Sequence, residues 1–188
     1  AGPLHAQPAD WSVMVYDSRA GEMVRLATDG TVQVSFRLNA DPAPSQVAIG
    51  PQGERIAYVQ NHPPRQLVIE DRTINQTATF PLPPDTTTDS LSFVTDDAIF
   101  AMDPPRLAFG HGVADGSWQV TLYQHENTWD AIATLDHSAV LPGLAPVAVR
   151  GRAPIVLSLT DAGVITFILA EPFSGYAANF LDVFTWDT

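Results

Sequence analysis

The chain contains no lysine and no cysteine, and its nine basic residues are all arginine. Without lysine there is no amine for Schiff-base chemistry and no P-loop lysine to reach a nucleotide phosphate. Without cysteine, disulfides, thiolate nucleophiles and cysteine-ligated zinc are excluded. A cysteine-free chain suits a secreted or cell-envelope setting, although cytosolic chains also lack cysteine. Long apolar runs are missing too. The most apolar stretch, Gly163 to Ala170, is far too short to span a bilayer, and neither end carries a lipidation signal.

Positive charge is scarce. Twenty-one acidic residues against nine arginines leave 188 residues with a net charge of −12. Such a surface repels phosphate backbones and anionic lipid, so neither nucleic acid nor a membrane surface is an expected partner. Helix signals are equally sparse. Sixteen prolines and twelve glycines are spread along the chain, and no long window free of them keeps a 3.6-residue period. At 45% apolar and 16% charged, the composition is nonetheless that of a folded protein with a substantial core.

What is present is a repeat of about fifty residues. Ile56-Ala57-Tyr58-Val59 recurs as Leu107-Ala108-Phe109-Gly110, 51 residues on, and as Ile155-Val156-Leu157-Ser158, 48 further. In phase with it run Val15-Tyr16-Asp17, Ile69-Glu70-Asp71, Leu122-Tyr123-Gln124 and Leu169-Ala170-Glu171, spaced 54, 53 and 47 apart. Each short apolar run is bounded by turn residues and reads as a strand. A strand-built unit at this period predicts an all-β propeller, or a propeller segment, of about four blade-like units of four-stranded antiparallel sheet. Residues 1–10 read as a tail or as the remnant of a secretory signal around Leu4-His5-Ala6-Gln7. Residues 11–188 form the propeller-like domain, in units of roughly 11–40, 45–83, 90–136 and 144–188.

Individual strands follow from period-2 patterning and turn chemistry. The first unit holds Ser12–Tyr16, Glu22–Ala27 and Val32–Leu38, with Asp29-Gly30 as a two-residue hairpin signal between the last two. The second holds Val47–Ile49, the turn Gly50-Pro51-Gln52-Gly53, then Arg55–Gln60, Gln66–Glu70 and Thr77–Leu82. The third begins at Ser90–Val94 or Ala98–Met102 and continues through Leu107–Gly110, Trp118–Gln124 and Trp129–Leu135. The fourth holds Pro146–Val149, Pro154–Leu159 and Val164–Ala170. Phe180–Trp186 is a last strand, expected to pair either with Ser12–Tyr16 or with a neighbouring chain through an open edge.

Within the second unit, Ala48-Ile49-Gly50-Pro51-Gln52-Gly53-Glu54-Arg55-Ile56-Ala57-Tyr58-Val59 resembles the "SPDG-(x)-IAF" core of TolB-type and WD-like propeller repeats. Leu67-Val68-Ile69-Glu70-Asp71 resembles the "LYVMD" strand that follows that core. Met14-Val15-Tyr16-Asp17-Ser18-Arg19-Ala20-Gly21-Glu22 resembles the same strand and its "D-x-x-x-G-E" turn. The likeness covers residues 12–82. Beyond them, Asp103-Pro104-Pro105 and Arg150-Gly151-Arg152-Ala153-Pro154 depart from the pattern. The resemblance implies a non-catalytic scaffold or protein-binding module of the bacterial envelope or exterior. Its alternative is the propeller of a larger enzyme, a prolyl-oligopeptidase-like peptidase or a glycan-active enzyme, whose catalytic part lies outside these residues.

Catalytic signatures are missing. There is no G-x-S-x-G, no H-E-x-x-H and no G-x-G-x-x-G, and the five histidines do not fall at metal-ligand spacing. No catalytic residue, metal or cofactor is therefore expected. Asp85-Thr86-Thr87-Thr88-Asp89 and Asp96-Asp97 read as solvated turn carboxylates. His62, Arg65, His111, Asp115 and Asp161 fall in connections that the repeat makes equivalent. They are expected on one face, where they would bind a polar ligand or a protein partner or stand as ordinary loop residues.

Overall fold

A computed structural model describes residues 12–44, 46–50, 53–60, 62–82, 97–101, 104–112, 117–136, 153–170 and 180–188. All the regular structure in them is β, in fourteen strands. They form four antiparallel sheets, each a meander in chain order. The first holds β1 (Ser12–Asp17), β2 (Glu22–Ala27) and β3 (Val32–Arg37); the second β4 (Val47–Ile49), β5 (Arg55–Gln60), β6 (Gln66–Asp71) and β7 (Gln76–Pro81). The third holds β8 (Asp97–Ala101), β9 (Arg106–Gly112), β10 (Trp118–His125) and β11 (Trp129–Asp136); the fourth β12 (Ala153–Leu159), β13 (Val164–Ala170) and β14 (Phe180–Asp187). The chain is thus all-β and built of blade-like sheets, two of four strands and two of three among the described residues. Among the described residues no helix is long and apolar enough to cross a membrane.

Of the expected strands, Ser90–Val94 and Pro146–Val149 lie outside the described residues, as do residues 1–11. The last strand pairs with its sequence neighbour β13, Trp186 opposite Ile165 and Phe184 opposite Phe167.

The chain divides into two compact units, residues 1–45 and 46–188. In the first, the segment after β3 folds back over one sheet face. The Tyr16 hydroxyl donates to the Pro44 carbonyl at 2.7 Å, and the Leu38 amide donates to the Gly21 carbonyl at 3.1 Å. Met23, central on that face, is fully buried. The opposite face carries Val13, Val15, Val24, Leu26 and Val32, aligned by the pairs Val13–Leu26, Val15–Val24 and Leu26–Val32.

In the second unit three sheets stack in sequence. The first strand of the second sheet, β4, lies against β8, and β12 lies against β8 and β9. Alternation along each strand sends successive side chains to opposite faces, so the middle sheet feeds two cores. Leu107, Phe109 and Tyr123 pack with Ala57, Val59, Leu67 and Ile69 of the second sheet. Ala108, Trp118, Val120 and Leu122 pack with Val156, Ile165, Phe167 and Leu169 of the fourth. Gly110 permits this approach: a Cβ there would sit 3.0 Å from the Pro154 carbonyl oxygen.

Turns recur with the repeat. Asp17 accepts from the amides of Arg19 and Ala20, and the turn closes on Gly21 at φ +64°. Fifty-four residues on, Asp71 accepts from the Thr73 amide, and Asn75 takes the left-handed place at φ +52°. Asp29-Gly30 belongs to a three-residue loop rather than a two-residue one. The Gly30 amide donates to Ala27 and the Ala27 amide to Thr31, with Gly30 at φ +82°. Thr160 to Val164 repeats that geometry around Gly163 at φ +89°.

Candidate functional site

The hairpin of β5 and β6 and the adjoining end of β9 carry three of the expected residues. The hairpin is closed by Gln66 Nε2 donating to Gln60 Oε1 at 2.9 Å. Its connection presents an exposed His62, whose Nδ1 lies 3.1 Å from the Pro63 carbonyl. Arg65 follows, half-buried, its own carbonyl accepting from the Leu82 amide at 3.0 Å. In the next sheet His111 is the penultimate residue of β9 and pairs with Gln119 across to β10. Its position in the alternation puts it on the face shared by Leu107 and Phe109, turned toward the second sheet.

His111 is only 3% exposed, its ring is stacked on Phe109 at 5.3 Å and 22°, and neither ring nitrogen has a hydrogen-bond partner among the described residues. Burial draws its pKa down from 6.5 to about 4, and the positive charge of Arg65 adds to that pull. Arg65 is thus near enough for its charge to act on His111. Asp115 lies outside the described residues.

Asp161 stands at the other end of the sheet stack. Its carbonyl accepts from Arg106 Nη1 at 3.2 Å, and Arg106 begins β9, whereas His111 lies five residues further along that strand. At about 3.3 Å per residue the two ends are roughly 17 Å apart. The expectation of a single face for Asp161 and His111 is corrected by topology. β12 lies against β8 and β9, and its start meets Gly110 while its end meets Arg106, so it runs antiparallel to β9 as β8 does. Among the described residues it is the first strand of its sheet and runs as β8 does, and the connection after such a strand emerges at the end opposite to that after a second.

Around Asp161 the side chains form a polar chain: Arg106 Nε donates to Gln124 Oε1 at 2.8 Å, and Gln124 Nε2 donates to Glu126 Oε1 at 3.1 Å. In the second sheet, Arg55 Nε donates to Asp71 Oδ2 at 2.8 Å beneath the Asp71 turn. Burial pushes the Asp71 carboxyl up, but Thr73 and the Arg55 guanidinium outweigh it and hold it below the usual carboxylate range. The sequence signal for this pair is the β5–β6 register, which sets Arg55 opposite Asp71. No group of three or more metal-ligating side chains is assembled among the described residues.

Sequence inspection missed the apolar face of β1–β3. Val13 and Val15 are 43% exposed and Val32 is 56% exposed. Alternation marks Val13 and Val15 as one face of β1, whereas Val32 joins them through the register shift at Arg25/Leu26, which sets it opposite Leu26; neither signal tells a covered face from an open one.

The fold class is thus set by the chain's own sheets: all-β, with blade-like meanders stacked in sequence order in the second unit. No family model and no curated protein matches the chain. Among solved structures, it is similar to the WD40 domain of SCAP from fission yeast, at 11% identity and a TM-score of 0.38, over 96% of this chain and 44% of that one. It is also similar to a catalytically inactive variant of virginiamycin B lyase from Staphylococcus aureus with quinupristin, at 12% identity and a TM-score of 0.34, over 84% of this chain and 59% of that one. The chain spans about half the length of the solved structures it matches.

Proposed function

We propose that the chain is a binding or scaffold module without chemistry of its own, exported from the cell, that holds a protein partner against the valine face of β1–β3. The observation that carries this reading is the exposure of Val13, Val15 and Val32 on one face across three paired strands. Single exposed apolar residues are ordinary, but a contiguous set rimmed by polar groups marks an interaction surface. Asp17, Glu22 and Arg37 form that rim, since Asp17 pairs with Glu22 and Glu22 with Arg37 at the end of the same face. A net charge of −12 favours a protein over a nucleic acid or an anionic bilayer as the occupant. A cysteine-free chain is compatible with export.

A photo-crosslinking residue placed at Val13 or Val32 tests the reading, with the exposed turn residue Asn127 as control. A discrete protein adduct is expected from the two valine positions and not from Asn127, and Val15→Ser is expected to weaken it. Equal labelling at Asn127, or no adduct at either valine, overturns the assignment. Turnover by the purified chain that is lost on changing one polar residue overturns the non-catalytic part.

A further inference from the structure

Three polar side chains are buried among the described residues, and two have partners. Asp71 is held by Arg55 and Thr73, and the Thr121 hydroxyl lies 3.3 Å from that of Thr134. His111 differs, with both ring nitrogens unpaired. The indole nitrogens of Trp118 and Trp129 are likewise buried and unpaired, but they do not titrate.

The surroundings of His111 suit a neutral ring and not a cationic one. From its own strand it meets the face of Phe109. From β10 its register partner is the uncharged Gln119. From the β5–β6 connection the charged group whose field reaches it is Arg65, a cation. An imidazolium there gains a second N–H donor, leaving both without an acceptor among the described residues, and has a like charge beside it, in the seam where the second and third sheets pack. The seam between the third and fourth sheets is built differently. Around its core of Ala108, Trp118, Val120, Leu122, Val156, Ile165, Phe167 and Leu169 no titratable side chain is buried among the described residues, and Arg106 and Asp161 meet at its end.

We infer that His111 is an acid-sensitive latch, whose protonation loosens the seam between the second and third sheets at the Arg65 end before the seam on the other side of the third sheet. The sign follows from the lowered pKa. A His held neutral in the folded state contributes stability in full above 6.5, and that stability is lost as pH falls from 6.5 toward about 4. The window covers mildly acidic conditions, where histidine switches operate.

Hydrogen exchange by mass spectrometry on the full chain, near neutral pH and at about pH 5, tests the latch once rates are corrected for intrinsic exchange. The opening constant of Arg106–Gly112 is expected to rise on the order of tenfold relative to that of Val164–Ala170. His111→Phe, which keeps the stack on Phe109, is expected to abolish the differential. His111→Gln, polar but not titrating, serves the same purpose if the Phe variant does not fold. An unchanged ratio in the wild type, or the same acid response in either variant, overturns the inference.

Discussion

Gly53 has its backbone at φ +71°, where a Cβ collides with the chain. The Gly53 amide donates to the Gly50 carbonyl at 2.8 Å, and the Gly50 amide donates to Arg55 at 2.8 Å, so the turn clamps β4 to β5. Gly53→Val is expected to cost about 1 kcal/mol or more. A urea or thermal melt checks it, and an unchanged midpoint counts against the turn. Gly50 is needed for a different reason: a Cβ there would meet the Arg55 Cβ and carbonyl oxygen at 3.2 Å. At Asp71 the expected change is larger than for an exposed turn residue, because Asp71 is 1% exposed and bound to Arg55. Asp71→Ala removes a charge-assisted bond and a turn acceptor, an expected loss of about 2 kcal/mol. The equivalent Asp17→Ala, at an exposed turn, is expected to lose about 1 kcal/mol or less. Equal losses in a chemical melt would show that the repeat's two turns carry the same load. The Gly-Pro-x-Gly turn was legible because a positive φ selects glycine. The Arg55–Asp71 pair was not, because it exists only once β5 and β6 are in register.

At the scale of elements, strand positions follow closely from period-2 runs and their bounding turns. Glu22–Ala27, Val47–Ile49, Arg55–Gln60 and Val164–Ala170 are observed as read. Rank within a sheet is what a single strand's sequence withholds. Pro154–Leu159 reads as a second strand by likeness to Arg55–Gln60, yet β12 packs as a first strand, and this places Asp161 far from His111. The last strand shows how much an end element can matter. Phe184 stacks on Phe167 at 5.4 Å, and Phe184 and Trp186 pack against the core between the third and fourth sheets. Removing residues 181–188 uncovers the edge of β13 together with Ile165 and Phe167. The expected outcome is aggregation or loss of cooperative folding, seen by light scattering and a thermal melt. A truncated chain that remains monomeric and equally stable would make this strand a dispensable tail.

At the scale of the whole molecule the dominant unpaired quantity is charge. Twenty-one acidic residues and nine arginines leave −12, and the Arg55–Asp71 ion pair is locked beneath a turn. Like charges spread over a compact surface repel one another more in the folded state than in the expanded one. Attractive surface pairs contribute about 0–1 kcal/mol each, so nine cations cannot offset that repulsion pair by pair. Salt shortens the reach of both effects, from about 30 Å at 0.01 M to about 3 Å at 1 M. Because repulsion has the larger share here, sodium chloride is expected to raise the melting midpoint by a few degrees, most of the rise coming below about 0.2 M. Sulfate would also raise it, but through exclusion from the apolar surface, so a monovalent chloride is the cleaner probe. The acid limb should run the other way despite the falling net charge. As pH drops from 6.5 toward 4, carboxylates begin to neutralise and relieve the repulsion, while His111 loses its stabilising neutrality. In wild type the two trends oppose, whereas in His111→Phe only the relief of repulsion is left. The variant's melting midpoint, followed downward in pH at low salt, is therefore expected to hold or rise over the range in which the wild type falls. A midpoint that drops with added chloride would show that attractive pairs outweigh the acidic excess.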